Sequence, residues 1–235
     1  MRAIMISVIC LTYKRHHLLE EAIYSFLQQD YEGEKEMVIV NDAQNIEYIC
    51  DHPQIKIHNL KNRFPSIGEK LEWGMKQCAG DHIYRLDDDD LLTPWALTLV
   101  NSYITENPNY DIYRCSNHYY FSENKFISLG GSINNGNCYS KKFINNIKFP
   151  TSSIGEDAEL TFHRGGSIFT GNVKKYSMIY RWGMSTYHIS GWGKRDSDFI
   201  LSAVDDLIDN QGNNFENIVT LNPNFMNDYY GELPK

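Results

Sequence analysis

The first half of the chain alternates two hydrophobic rhythms. Ile4 to Leu11 is a near-continuous apolar run, as a strand buried on both faces requires, and Leu18, Leu19, Ala22, Ile23, Phe26 and Leu27 then recur at helical spacing. Gly33 breaks that helix and Met37 to Val40 supplies a second buried strand, which completes a βαβ unit. Ile55 to His58 alternates as a short third strand, Ile67 to Ala79 predicts a helix closed by Gly80, and His82 to Leu86 is the next strand. Thr93 as a cap, with Pro94 in the first helical position, predicts a helix to about Ile104. This order predicts an α/β fold with a mostly parallel sheet and helices on both faces.

After Asp111 the texture changes to short aromatic runs with Tyr113, Tyr119, Tyr120, Phe121 and Phe126, punctuated by glycine and asparagine, which read as hairpins. Helices are expected from about Gly155 to Arg164 and from about Ser197 to Ile208, ahead of a polar, Asn-rich end. A chain of 235 residues suits one domain.

Charge and cysteine usage narrow the function classes. A formal net charge of −8 argues against an electrostatic grip on nucleic acid or an anionic membrane, so a small substrate or a sugar chain is the expected partner. The apolar start carries only Arg2 ahead of it and no small-residue cleavage site follows, so it reads as a strand rather than a signal peptide. No run approaches the roughly 18 apolar residues of a membrane span. The cysteines Cys10, Cys50, Cys78, Cys115 and Cys138 are scattered without a CxxC pair, so they read as free core thiols in a reducing compartment, the cytoplasm.

The chemistry concentrates where the strand ending at Leu86 runs into four consecutive aspartates, Asp87 to Asp90. A fixed cluster of carboxylates raises the cost of ionising each member, and hard cations such as Mg²⁺ or Mn²⁺ offset that cost. Runs of like charge are more often solvated loops. Here the run sits at the carboxyl end of a strand, where open α/β sheets gather their ligands.

Several motifs in order carry a family resemblance. They are Ser7 to Arg15 followed by an amphipathic helix, Val38 to Asp42, Ser66 to Lys70 leading on to Gly80-Asp81-His82-Ile83, Leu86 to Asp90, and Gly155-Glu156-Asp157-Ala158-Glu159-Leu160. Over about residues 4 to 190 the chain resembles the inverting family 2 glycosyltransferases of the GT-A fold. The resemblance implies a nucleotide-sugar-binding half over about 1–110, an acceptor half over about 111–195, and a C-terminal helix and tail over about 196–235. Leu71-Glu72 departs from the Arg-Asn that many relatives carry after the position of Lys70, and the glycine-rich segment before the acceptor loop is reduced to Gly130, Gly131 and Gly136.

What the resemblance implies about residues can be set beside their ordinary meanings. Thr12, Tyr13, Arg15, Asp42, Lys70, Asp87 and Asp88 would contact the donor, with Tyr13 stacked on the nucleobase and Asp42 accepting from a base N–H. An Asn41-Asp42 pair after a strand is also an ordinary turn, and lone cations such as Lys14, Arg63 and Lys70 are usually solvated. Asp89 would ligate Mn²⁺ or Mg²⁺, with Asp87 on the same face under the strand period of two. His188 resembles a late histidine that completes the metal shell in many relatives. Asp157 would take the acceptor proton and Glu156 would steady the acceptor or the loop, although acidic residues also favour a first helical turn for its dipole. Gly183, Gly191 and Gly193 flank His188 and suggest a flap over Arg181 to Lys194, with Trp182 and Trp192 to dock it. A sugar donor and a hydroxyl acceptor are the implied partners. A catalytically silent nucleotide-sugar or carbohydrate-binding module and a nucleotidyltransferase stay open as alternatives.

Overall fold

The computed structural model describes residues 4–122, 125–172, 175–182 and 217–233. His188, the helix expected from Ser197 to Ile208, and the flap beyond Trp182 lie outside them.

Strand β1 (Ile6–Thr12) is the spine. It pairs in parallel with β2 (Lys35–Asn41) and with β5 (His82–Asp87), so that Val8 lies opposite Met37 on one side and Tyr84 on the other. Strands β3 (Ile46–Ile49) and β4 (Ile55–Asn59) follow β2, and β4 pairs in parallel with it. Alternate residues of β1 serve opposite cores, as the strand period of two demands. Ile6, Val8 and Cys10 pack with Leu19, Ala22, Ile23 and Phe26 of α1 (His16–Leu27), whereas Ile9 packs with Leu71 and Met75 of α2 (Ile67–Gln77). Helices therefore cover both faces. Helix α1 has no side-chain cap at Arg15, so its stability comes from this burial, at about 1.5–3 kcal/mol per large aliphatic side chain, rather than from its own termini.

The second half does not form a run of hairpins. After the short β6 (Leu91–Leu92) and α3 (Ala96–Glu106), strands β7 (Ile112–Cys115), β10 (Cys138–Ser140) and β11 (Ile168–Gly171) extend the central sheet to seven strands in the order β11-β7-β10-β5-β1-β2-β4. Strand β10 is antiparallel to both neighbours, with Cys138 between Tyr84 and Tyr113. The aromatic runs join the core because Tyr84, Tyr113 and Tyr139 are fully buried. The expected hairpin is the pair β8 (Asn117–Ser122) and β9 (Lys125–Gly131), which joins β6 and β12 (Met178–Trp182) in a second sheet. Strand β13 (Asn217–Thr220) returns to pair with β3.

Two boundary expectations change for tertiary reasons. Thr93 does not cap α3: its buried hydroxyl donates to the Tyr176 carbonyl at 2.9 Å, and the helix begins after Trp95. Gly80 does not close α2 with a left-handed turn, since the helix ends at Gln77 and Cys78 is extended. Its need for glycine is close approach, because a Cβ there would lie 2.6 Å from the Ser7 amide nitrogen. All five cysteines are free, as expected. Among the described residues no helix is long and apolar enough to cross a membrane.

The short helices α4 (Lys141–Ile144) and α5 (Glu156–Phe162) lie on the α2 side of the sheet, where Phe143, Ile144 and Leu160 are buried. The loop leading into α5 is held by the start of α2. The Ser152 carbonyl accepts from the Gly68 amide at 3.0 Å and Ser153 Oγ from the Ile67 amide at 3.1 Å, two donors that a helix terminus leaves free. Gly155 then turns the chain at φ +70°, a left-handed conformation that favours glycine, and α5 starts.

Candidate active site

Strand β5 ends at Asp87, and a tight turn follows in which the Asp90 amide donates to the Asp87 carbonyl at 3.1 Å. A turn brings its first and fourth residues together. Carboxylate oxygens of Asp87, Asp89 and Asp90 accordingly lie within 4.8 Å of one another. The strand alternation that would pair Asp87 with Asp89 alone stops at Asp87, so Asp90 joins the cluster and Asp88 points elsewhere. An all-oxygen donor set of this kind fits a hard divalent cation.

The cluster is ringed by protein donors. Arg15 grips Asp88 through two nitrogens, one at 3.2 Å, and reaches Asp89 at 3.1 Å. Even so, burial pushes the Asp88 carboxyl up to about 6. Asn135 Nδ2 bridges Asp87 at 3.2 Å and Asp90 at 2.8 Å. The Arg181 amide donates to Asp90 at 3.0 Å, while its guanidinium binds the Asp89 carbonyl and Glu21. Burial, with Asp89 and Asp87 alongside, raises Asp90 well above the usual carboxylate range. Arg15, expected to meet the donor, here serves as a counter-ion of the aspartate turn.

The other expected donor residues gather at the carboxyl ends of β1 and β2. Lys70 Nζ donates to Asp42 at 2.5 Å and to the Thr12 carbonyl at 2.7 Å. Burial lowers the Lys70 pKa in spite of Asp42. Its ammonium is thus held between two protein oxygens at the carboxyl ends of β1 and β2. The second Asp42 oxygen accepts from the Phe64 amide at 3.1 Å, and the turn role falls to Asn41, whose Oδ1 accepts from Ala43 at 3.1 Å. Tyr13 is half-buried, with the Arg63 guanidinium 4.6 Å from its ring centroid and the Lys14 ammonium at 5.5 Å. Lys14 itself sits at φ +56°, a left-handed conformation that costs a non-glycine residue roughly 1–2 kcal/mol.

Helix α5 brings the second acidic pair. Glu156 is buried and accepts from Arg85 at 2.8 Å; burial raises its pKa against the pull of that guanidinium. Arg85 lies in β5 and also reaches Asp87 at 3.3 Å. Asp157 is half-buried and accepts from the Ala158 amide at 2.8 Å. The helix is fixed from behind by Thr161, whose hydroxyl donates to the Asp157 carbonyl at 2.8 Å and meets Asn137 and Tyr139 at 3.0 and 3.2 Å.

Arg85, Asn135 and Arg181 were not assigned a role at the site, and Asp90 was expected as part of the aspartate run but not as a ligand. Arg85 and Arg181 had a signal: each is a charge inside an apolar-aromatic strand run, which burial tolerates only with a partner. Asn135 had none, lying within an ordinary asparagine-rich loop.

The parallel sheet, the helices on both faces and the acidic turn at the end of β5 define a GT-A-type nucleotide-sugar fold. The Glycosyl transferase family 2 profile matches residues 7–174, and the chain belongs to that family. An uncharacterized glycosyltransferase of Rickettsia bellii (strain RML369-C) is 29% identical over 148 residues, which are 60% of this chain and 21% of that protein. Among solved structures, S. aureus TarS 1-349 in complex with UDP superposes with a TM-score of 0.60 at 18% identity, over 75% of this chain and 60% of that one. The same protein with UDP-GlcNAc gives 0.62 at 15% identity, over 90% and 68%. The mannosyltransferase PcManGT of Pyrobaculum calidifontis, with GDP-Man and Mn2+, gives 0.56 at 16% identity, over 78% and 58%. At these identities the structures establish the fold. The chain spans about a fifth of the curated relative's length.

Proposed function

We propose that the protein is a metal-dependent inverting glycosyltransferase, moving a sugar from a nucleoside-diphosphate sugar, UDP in the first instance, to a hydroxyl of a glycan or other acceptor. The observation that carries this reading is the convergence of Asp87, Asp89 and Asp90 at the end of β5, with a second acidic pair tied to the same strand through Arg85. UDP and UDP-GlcNAc in TarS, and GDP-Man with Mn2+ in PcManGT, support it.

Asp87, Asp89 and Asp90 would hold Mn²⁺ or Mg²⁺, which when bound offsets the negative charge of a departing diphosphate. The chain's own residues do the rest. Asp157 presents a half-buried carboxylate to take the proton from the acceptor hydroxyl as its oxygen attacks the anomeric carbon and the bond to the diphosphate breaks. Glu156, locked to Arg85, orients the helix that carries it. Asp42 keeps lone pairs beyond its bonds to Lys70 and Phe64 and is the acceptor for a base N–H, and the half-buried Tyr13 ring is the face on which the base stacks. Retention of both acidic sets favours transfer over a silent binding module. Five free thiols fit a reducing compartment, and we place the protein in the cytoplasm.

The test is thermal stability with UDP, in Mn²⁺ and in EDTA. UDP with Mn²⁺ at about 100 times the dissociation constant adds about 2.7 kcal/mol. EDTA removes that gain, and Asp89→Ala abolishes it. Equal stabilisation by UDP in Mn²⁺ and EDTA would overturn the metal-dependent reading.

A further inference from the structure

Arg85 sits inside the sheet, 4% exposed, on the last turn-free stretch of β5 before the aspartates. Its Nη2 donates to Glu156 at 2.8 Å and its Nε to Asp87 at 3.3 Å, so a single planar group joins the cation-site strand to the first turn of α5. Its Nη1 is buried and has no partner among the described residues. Burial alone would make the guanidinium easier to deprotonate, but Asp87, Glu156 and Asp157 around it hold it firmly charged. The other contacts of α5 with the sheet side lie further along the helix, at Leu160 in the core, at Thr161 with Asn137 and Tyr139, and at Phe162 under the Arg114 guanidinium, and leave the Glu156 end to Arg85.

We propose that Arg85 is a positioning residue for the transfer, holding the Glu156–Asp157 end of α5 in register with Asp87 through a guanidinium shared between the two acidic sets. The role rests on the glycosyltransferase reading above. A rigid fork suits it, because two oxygens on different elements are fixed at once by one planar donor. The bond to Glu156 is the shorter, so Arg85 belongs first to the helix and competes with a cation for Asp87. Removing it acts in opposite directions on binding and on turnover. Asp87 gains freedom to hold a cation, whereas Asp157 loses the frame that aims it.

The experiment compares wild type, Arg85→Gln, Arg85→Lys and Glu156→Gln in two assays. Calorimetry reads the affinity for Mn²⁺ alone, and UDP release reads turnover on whichever sugar of a UDP-sugar panel the wild type consumes. Arg85→Gln is expected to bind Mn²⁺ several-fold more tightly, yet to turn over on the order of 10²-fold more slowly with the donor KM little changed, the scale of loss typical of a misaimed catalytic group. Arg85→Lys restores part of the turnover. Glu156→Gln keeps Arg85 partnered by Asp87 and weakens the same link from the helix side, since its amide oxygen still accepts from Arg85 but carries no charge, so it slows turnover less than Arg85→Gln without tightening Mn²⁺ and stands in should Arg85→Gln fold poorly. Weaker Mn²⁺ binding by Arg85→Gln, or full turnover by either Gln variant, overturns the role of Arg85. A wild type that consumes no sugar of the panel instead overturns the transfer reading on which it rests.

Discussion

The buried cations described around the site each have a carboxylate against them, Lys70 with Asp42, Arg85 with Glu156 and Arg181 with Glu21, and the half-buried Arg15 has the buried Asp88. Breaking one partner of such a pair typically costs about 3–5 kcal/mol, because the survivor stays buried and charged. These residues shape the site through what they hold, and their substitution mixes folding with function. Asp157 differs, being half-buried with a local amide as its hydrogen-bond partner. Asp157→Asn is therefore expected to leave stability and UDP–Mn²⁺ affinity nearly intact while lowering turnover by about 10² to 10⁴. Calorimetry beside a turnover assay separates the cases: loss of the nucleotide as severe as in Asp89→Ala would make Asp157 a ligand.

At the scale of elements, the sheet is clamped at the end opposite the site by Glu36 on β2. Its carboxylate accepts from Ser7 of β1 at 2.6 Å, from the Ala79 amide beyond α2 at 2.6 Å, and from Lys56 of β4 at 2.5 Å. Burial alone would raise the Glu36 pKa, but the bonds from Lys56, Ser7 and Ala79 outweigh it and hold the group below the usual glutamate value of 4.5. A folded pKa below the unfolded one means stability that is present above the unfolded value and lost as pH falls through the folded one. Urea midpoints of the wild type should thus decline below about pH 4.5, and Glu36→Gln should flatten that decline while lowering the plateau at neutral pH. An unchanged acid slope in the variant would show that other carboxylates govern it. None of this junction is visible in hydrophobic periodicity, which located β2 and α2 but says nothing of which polar groups meet between them.

Across the whole molecule, the segment 217–233 ties the last described stretch of chain back to the first helix. Tyr229 is buried and donates to Glu21 at 3.2 Å, Glu21 also accepts from the Met226 amide at 2.9 Å, and Arg181 joins both while binding the aspartate turn. Helix α1, strand β12, the aspartate turn and the C-terminal segment thus share one buried polar network. Arg181→Met leaves Glu21 without its cation and is expected to cost about 3–5 kcal/mol in urea unfolding. Adding Glu21→Met should recover part of that loss, as coupled buried partners do. Strictly additive losses in the double variant would mean that the two residues act independently.

The alternation of continuous apolar runs with helical spacing determined the α/β class, the parallel arrangement of β1, β2, β4 and β5, and the place of the aspartates, because burial on one or two faces leaves a direct mark on residue order. The ordered motifs from Ser7 to Leu160 likewise located the acidic turn and the α5 pair. Only the tertiary structure decided that Asp90 rather than Asp88 completes the cluster, that Arg15 and Lys70 face protein carboxylates, and that Arg85 joins the two acidic sets. It also decided that β7, β10 and β11 extend the central sheet and that β13 returns to β3. Those outcomes depend on which groups meet across distant parts of the chain, where a turn's geometry and the pairing of buried charges take over from any local period.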